Sequence, residues 1–115
     1  RANFSYAKLQ GADLSLADLE LANLTGVDMQ DTILQGTKLS GNLQRANLSG
    51  ANLTDADLFS LDLSYANLSN TIMIQTGLST VNLTGANLEG AQIESLYLVN
   101  VTMPDGSIRN DGRTG

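Results

Sequence analysis

The stretch Ala46–Leu68, ANLSGANLTDADLFSLDLSYANL, repeats one five-residue unit, Ala-Asn/Asp-Leu-x-x. A strict period of five excludes the ordinary elements as the basis of a core. On an α-helix a step of five turns the side chain by about 140°, which scatters the leucines round the axis. On a β-strand an odd step puts successive leucines on opposite faces. One buried side results only if the chain bends once per unit and travels round a polygon. Stacked polygons then pair backbone to backbone at a spacing of about 4.8 Å.

The large apolar residue at the centre of each unit can be followed along the chain. Centres recur every five residues from Phe4 to Leu39, slip by one to Leu43, and resume every five to Met103. All 21 are apolar, and they include every Met. Two residues before each centre lies a smaller position, which holds all 11 alanines. Thr, Val, Gly and Leu fill the rest of it. Centre and small residue face inward, while the other three positions, mostly Asn, Asp, Ser, Thr, Gln and Gly, face water. Composition agrees with a regular interior: 20 Leu stand against two Phe, three Tyr and no Trp.

Units such as ADLSL, ADLEL, ANLTG, ANLSG, ANLTD and ANLSN match the pattern A-[DN]-L-x-x. On them the sequence resembles the pentapeptide-repeat family, over Ala2 to about Met103. A repeat of this length specifies architecture. The resemblance implies an all-β fold, a right-handed quadrilateral parallel β-helix. It would be a solenoid of about five coils with four pentapeptides each. The expected organisation is residues 1–103 as β-helix and 104–115 as a polar turn and loose tail. Pro104-Asp105-Gly106 ends the period, since Pro removes a backbone donor. A repeat run closing on MPDG resembles cyanobacterial and chloroplast members. Arg1 already lies inside a repeat, so further sequence upstream is expected, and a targeting signal with it.

Two departures from the pattern stand out. The missing residue between Leu39 and Leu43 makes Gly41 the small residue of a tightened corner, a role glycine tolerates. Leu61 and Leu96 are bulky where Ala belongs, and are expected to widen the coil or push a side chain out.

The chain has no Cys and no His, which removes the thiol chemistries and the commonest acid–base catalyst. No apolar run approaches the roughly 18 residues of a membrane span. The net charge of −6 argues against direct binding to nucleic acid or anionic membrane. Two catalytic carboxylates need a cleft about 5–10 Å across. A convex rod offers none, and Asp13 and Asp18 fall on different sides. Folding the chain four units to a coil stacks Lys38 between Asp18 and Asp57, and Lys8 on Asp28. These are self-pairing columns, not a catalytic dyad. The expectation is no enzyme, no metal and no cofactor.

The same map stacks Asn3, Asn23, Asn42, Asp62 and Asn82 in one column. A ligand ladder and a structural ladder of amides bonding the stack and the turns are the two readings, and the structural one is favoured. Triplets N-[FLV]-[ST] at Asn3, Asn23, Asn47, Asn52, Asn67, Asn82 and Asn100 are formal glycosylation acceptors. The repeat generates them whenever Ser or Thr follows the centre, so they carry no functional reading.

Outward apolar residues are the better lead. Leu16, Ile33, Ile72 and Ile74 map to one side, and Leu21, Phe59, Tyr97 and Val99 to the next. They form a candidate interaction surface, against the alternative that they merely stack along the sheet. Ala46–Leu68, with Phe59 outward, Leu61 and three nearby acids, is the region singled out for a specific contact. Rod ends expose unpaired backbone and suit end-to-end association.

The function expected is therefore a non-catalytic structural or protein-interaction module with a protein partner. The alternative implied by the resemblance is a DNA mimic that binds DNA gyrase and protects it from quinolones. A cytoplasmic setting is the default, with thylakoid lumen or periplasm as the alternative.

Overall fold

The computed structural model describes residues 3–110 and 112–113. Its strands are β1 (Asp18–Asn23), β2 (Lys38–Asn42), β3 (Asp57–Asp62), β4 (Ile72–Ile74), β5 (Gly77–Asn82), β6 (Gln92–Glu94), β7 (Tyr97–Val99), β8 (Val101–Thr102), β9 (Ile108–Arg109) and β10 (Gly112–Arg113). The coils stack in parallel: β1, β2, β3, β5 and β7 pair in that order, and β4 pairs with β6. Single bridges such as Lys8↔Asp28, Asp28↔Asn47 and Asn47↔Asn67 continue the register on the side that has no extended strand. The result is a four-sided β-solenoid. Its columns are those of the four-unit map, for example Asn3, Asn23, Asn42, Asp62, Asn82 and Thr102.

Each corner follows from the unit. At most corners outside the strands the N–H of the small residue donates to the carbonyl of the preceding centre, as in Ala46 to Leu43 at 3.1 Å and Ala66 to Leu63 at 3.0 Å. The residue two after each centre takes positive φ, from Tyr6 at 61° to Gly90 at 74°. A three-residue bond with φ above zero at its third member is the geometry of a type II turn. The chain thus turns once per pentapeptide and keeps every centre on the axis. Leucine centres from Leu24 to Leu83 are buried, with Met29 and Met73.

At the rod's ends the centres lose their cover. Phe4 is 37% and Ile93 41% exposed, because among the described residues no further coil lies over them. Four threonines occupy inward small positions and remain satisfied. Thr32, Thr37 and Thr71 donate to the preceding centre's carbonyl, and Thr76 reaches Leu53 O in the coil beneath at 2.8 Å. Buried hydroxyls need such partners.

The structure changes two expectations. Residues after Met103 do not form a loose tail throughout. Past the Pro104–Gly106 turn, β9 returns antiparallel on β8 and β10 antiparallel on β7. This covers part of the last coil's edge. Leu61 and Leu96 are not pushed outward either, being 2% and 8% exposed. Leu61 is accommodated beside Gly41, its register partner one coil below.

Candidate functional site

The polar columns are consumed by the corners. In nearly every unit the Asn or Asp side chain accepts from the backbone N–H two residues on. It also accepts from the hydroxyl there when that residue is Ser or Thr. Ser49 N and Oγ lie 3.1 and 2.9 Å from Asn47 Oδ1. Thr54 N and Oγ1 lie 3.1 and 2.7 Å from Asn52 Oδ1. Asp62–Ser64, Asn67–Ser69 and Asn82–Thr84 repeat the motif. These are Asx turns. They explain the N-L-[ST] triplets, whose third residue bonds the first. The bonding runs along the chain into the turn and not from amide to amide up the stack. Cross-coil contacts come from glutamines instead: Gln10 Nε2 to Asp28 at 2.7 Å and Gln44 Nε2 to Asp62 at 2.9 Å.

The carboxylates are committed in the same way. The Ser15 hydroxyl, and after it the Ser15 N–H, holds the Asp13 carboxyl below the usual carboxylate range. Ser107 does the same for Asp105. Lys38 sits in register between Asp18 and Asp57, and Lys8 beside Asp28, as the map requires. The recorded contacts of these acids are not with the lysines, however. Asp18 accepts from Glu20 N–H and Asp28 from Gln10 and Gln30. Among the described residues no group of three acids, His or Cys could hold a metal ion.

The one-residue slip is repaired by a side chain. With a residue missing, Leu21 N–H donates to Ser40 Oγ at 2.9 Å and not to a carbonyl, unlike Leu16 N–H to Gln35 O at 2.9 Å. Ser40 is buried in consequence. Gly41, at φ 103°, comes so close to the previous coil that an added Cβ would lie 3.0 Å from Ala22 O and 3.2 Å from Leu21 Cα.

The outward apolar residues separate into two kinds. Phe59, Ile72, Ile74 and Val99 are half-buried in sheet columns, Phe59 and Val99 each in register with Ser79, and Ile74 with Glu94. Leu16, Leu21, Ile33 and Tyr97 are exposed. No continuous seam joins them: Asn52 separates Ile33 from Ile72 in one column, and Tyr97 lies in the last coil. Phe59, at the centre of the irregular stretch, lies along the sheet and does not protrude.

Leu16 and Leu21 are unusual. Both occupy positive-φ corners, at 62° and 59°, where a side chain costs roughly 1–2 kcal/mol. They remain 82% and 52% exposed, so burial returns little of that cost at Leu16 and only part of a leucine's full burial at Leu21. Leu16 lies across Gly36, whose added Cβ would come within 2.7 Å of Leu16 Cδ2. Beside it a shallow depression is lined by Ser15, Gln35 and Asp55. Tyr6 covers Gly26 and Tyr65 covers Gly85 in the same way, and Arg45 stacks on Tyr65 at 5.4 Å. Sequence reading missed these platforms. Their signal was present as a Gly one coil after each large corner residue.

The comparisons with known proteins agree with this architecture. HetL, a pentapeptide repeat protein involved in heterocyst differentiation regulation in the cyanobacterium Nostoc sp. strain PCC 7120, is 35% identical, with a TM-score of 0.77 over 94% of this chain and 52% of HetL. The chain therefore spans about half of HetL's length. A pentapeptide repeat protein from the Arabidopsis thaliana thylakoid lumen is 26% identical, with a TM-score of 0.81 over 85% of this chain and 69% of that one. QnrB1, a plasmid-mediated fluoroquinolone resistance protein, matches at 18% identity and a TM-score of 0.43, over 88% of this chain and 65% of its own. That likeness supports no functional argument, and the gyrase-mimic reading is not favoured. None of the curated proteins matches the chain by sequence. The family model for pentapeptide repeats matches residues 2–41, 42–73 and 62–95, the span over which the chain turns once per five residues; the chain belongs to the pentapeptide-repeat family.

Proposed function

We propose that the chain is a non-catalytic module that presents two successive corners of its first coil, at Leu16 and Leu21, with Ile33 of the next coil, to a protein partner. One observation carries this reading. Two large apolar side chains sit in a backbone conformation that disfavours them and stay exposed, Leu16 almost wholly and Leu21 by about half. Folding alone gives no reason for leucine there, since Gly, Asn and Asp suit the conformation better. Exposed apolar residues that the fold does not need are characteristic of contact surfaces. The polar groups favour the same reading, because they are occupied by turns and leave no free acid–base pair. The reading suits a cytoplasmic or a lumenal setting alike, since no cysteine ties the chain to either redox compartment.

The test is affinity capture from the source organism with the wild-type chain and the Leu16→Asn, Leu21→Asn variant as baits. A protein retained by the first and lost from the second supports the proposal. Equal capture by both baits removes it.

A further inference from the structure

Among the described residues the last coil is covered by further strands on two of its sides. β9 and β10 cover β8 and β7, while β6 pairs only with β4. In lower coils the centre N–H of this side donates upward, as Leu53 N–H does to Ile72 O at 2.8 Å. The small residue's carbonyl accepts from above, as Thr71 O does from Gln92 N–H at 2.8 Å. Ile93 N–H and Ala91 C=O are the equivalent groups on β6, and among the described residues nothing lies above to meet them. Gln92, Ile93 and Glu94 are all exposed, and Ile93 is an inward-type centre 41% open to solvent. Glu89, on the adjoining side, is exposed as well.

We infer that the β6 edge is a strand-addition site for a short extended segment of a partner protein, apolar opposite Ile93 and basic beside Glu89 and Glu94. Three observations choose this occupant. The neighbouring strands of the same coil already take antiparallel segments, so the geometry of this rim supports strand addition. The segment on β8 carries an arginine, Arg109. The open part of the rim carries Glu89 and Glu94 and no basic residue, so charge selects a basic strand. An uncovered apolar edge of this kind otherwise invites unspecific pairing. The site is separate from the Leu16–Leu21 corner.

The test uses a fluorescein-labelled hexapeptide of alternating arginine and valine, titrated by anisotropy against the full chain, with amide shifts followed by NMR. Saturable binding with shifts centred on residues 86–95 is expected. Ile93→Pro removes the outward N–H while keeping the Gln92 to Thr71 bond, and should weaken binding about five- to tenfold, the scale of one lost hydrogen bond with its contacts. Should that variant not fold, Glu89→Lys with Glu94→Lys, both at exposed positions, should abolish binding. The Leu16→Asn, Leu21→Asn variant should bind as the wild type does, so failure of one surface is distinguishable from failure of the other. No saturation at millimolar peptide, equal binding of a glutamate–valine peptide, or binding that survives the Lys substitutions would overturn the inference. So would a dimer in sedimentation that Ile93→Pro dissolves, because the edge would then belong to a second copy.

Discussion

Gly41 and Leu61 are register partners in adjacent coils, so the bulkiest member of the column Ala22, Gly41, Leu61, Val81 stands against the one member without a side chain. The slip in the repeat and the oversized residue that follows are thus stacked in one column, although the space at Gly41 is closed by the coil beneath it. Together they leave Leu61 almost fully buried and the column continuous.

Gly41→Ala should destabilise the fold by about 2 kcal/mol or more, since φ is positive and the new methyl meets backbone. The obstruction comes from Ala22 O and Leu21 Cα, not from Leu61. Leu61→Ala should cost about 2–5 kcal/mol as a cavity without rescuing Gly41→Ala. Urea unfolding of both single variants and the double variant checks this. A double variant more stable than Gly41→Ala contradicts it.

Ser40→Ala removes the acceptor of Leu21 N–H. An unmet, part-buried donor costs about 1–3 kcal/mol. Ser49→Ala, which loses only a hydroxyl bond to Asn47 in an ordinary corner, should cost less. Equal losses from the two substitutions in thermal unfolding would show that Ser40 has no special role at the slip.

Asn52→Ala should cost about 1 kcal/mol by leaving Thr54 N–H and Oγ1 without their acceptor. Asn52→Asp should be tolerated, because Asp62 makes the same bonds to Ser64. Denaturation midpoints of the two variants separate a structural ladder from a ligand ladder. A neutral Asn52→Ala would favour the ligand.

Fold and register were legible because a period of five admits one geometry, and a single Leu, Asn or Ala announces its place in it. The contact surface was less so. Phe59 and Leu16 both read as outward apolar residues, yet Phe59 lies half-buried in the sheet and Leu16 stands on a corner. The difference lies in φ, which the unit pattern gives only to a reader who knows which position turns. The adjacency of Gly41 and Leu61 was hidden for another reason. The two are 20 residues apart in sequence and become neighbours only once the chain is folded four units to a coil.

The Asp13 carboxyl should titrate below the usual carboxylate range, and Ser15→Ala should return it upward, with the hydroxyl bond the larger cause. A folded-state pKa below the unfolded one means that the contribution is present above the unfolded value and lost as pH falls through the folded one. Carboxyl-detected NMR titration of both proteins checks the direction. An unchanged value in Ser15→Ala would refute the assignment.

The central claim is that Leu16 and Leu21 do not serve the fold. The free energy of unfolding of Leu16→Asn, Leu21→Asn, measured in urea, tests it most directly. The account predicts a value unchanged or raised by about 1 kcal/mol, since Asn tolerates the left-handed corner better than Leu. A fall of about 2 kcal/mol or more, the scale of a buried leucine, would make both residues part of the core and contradict it.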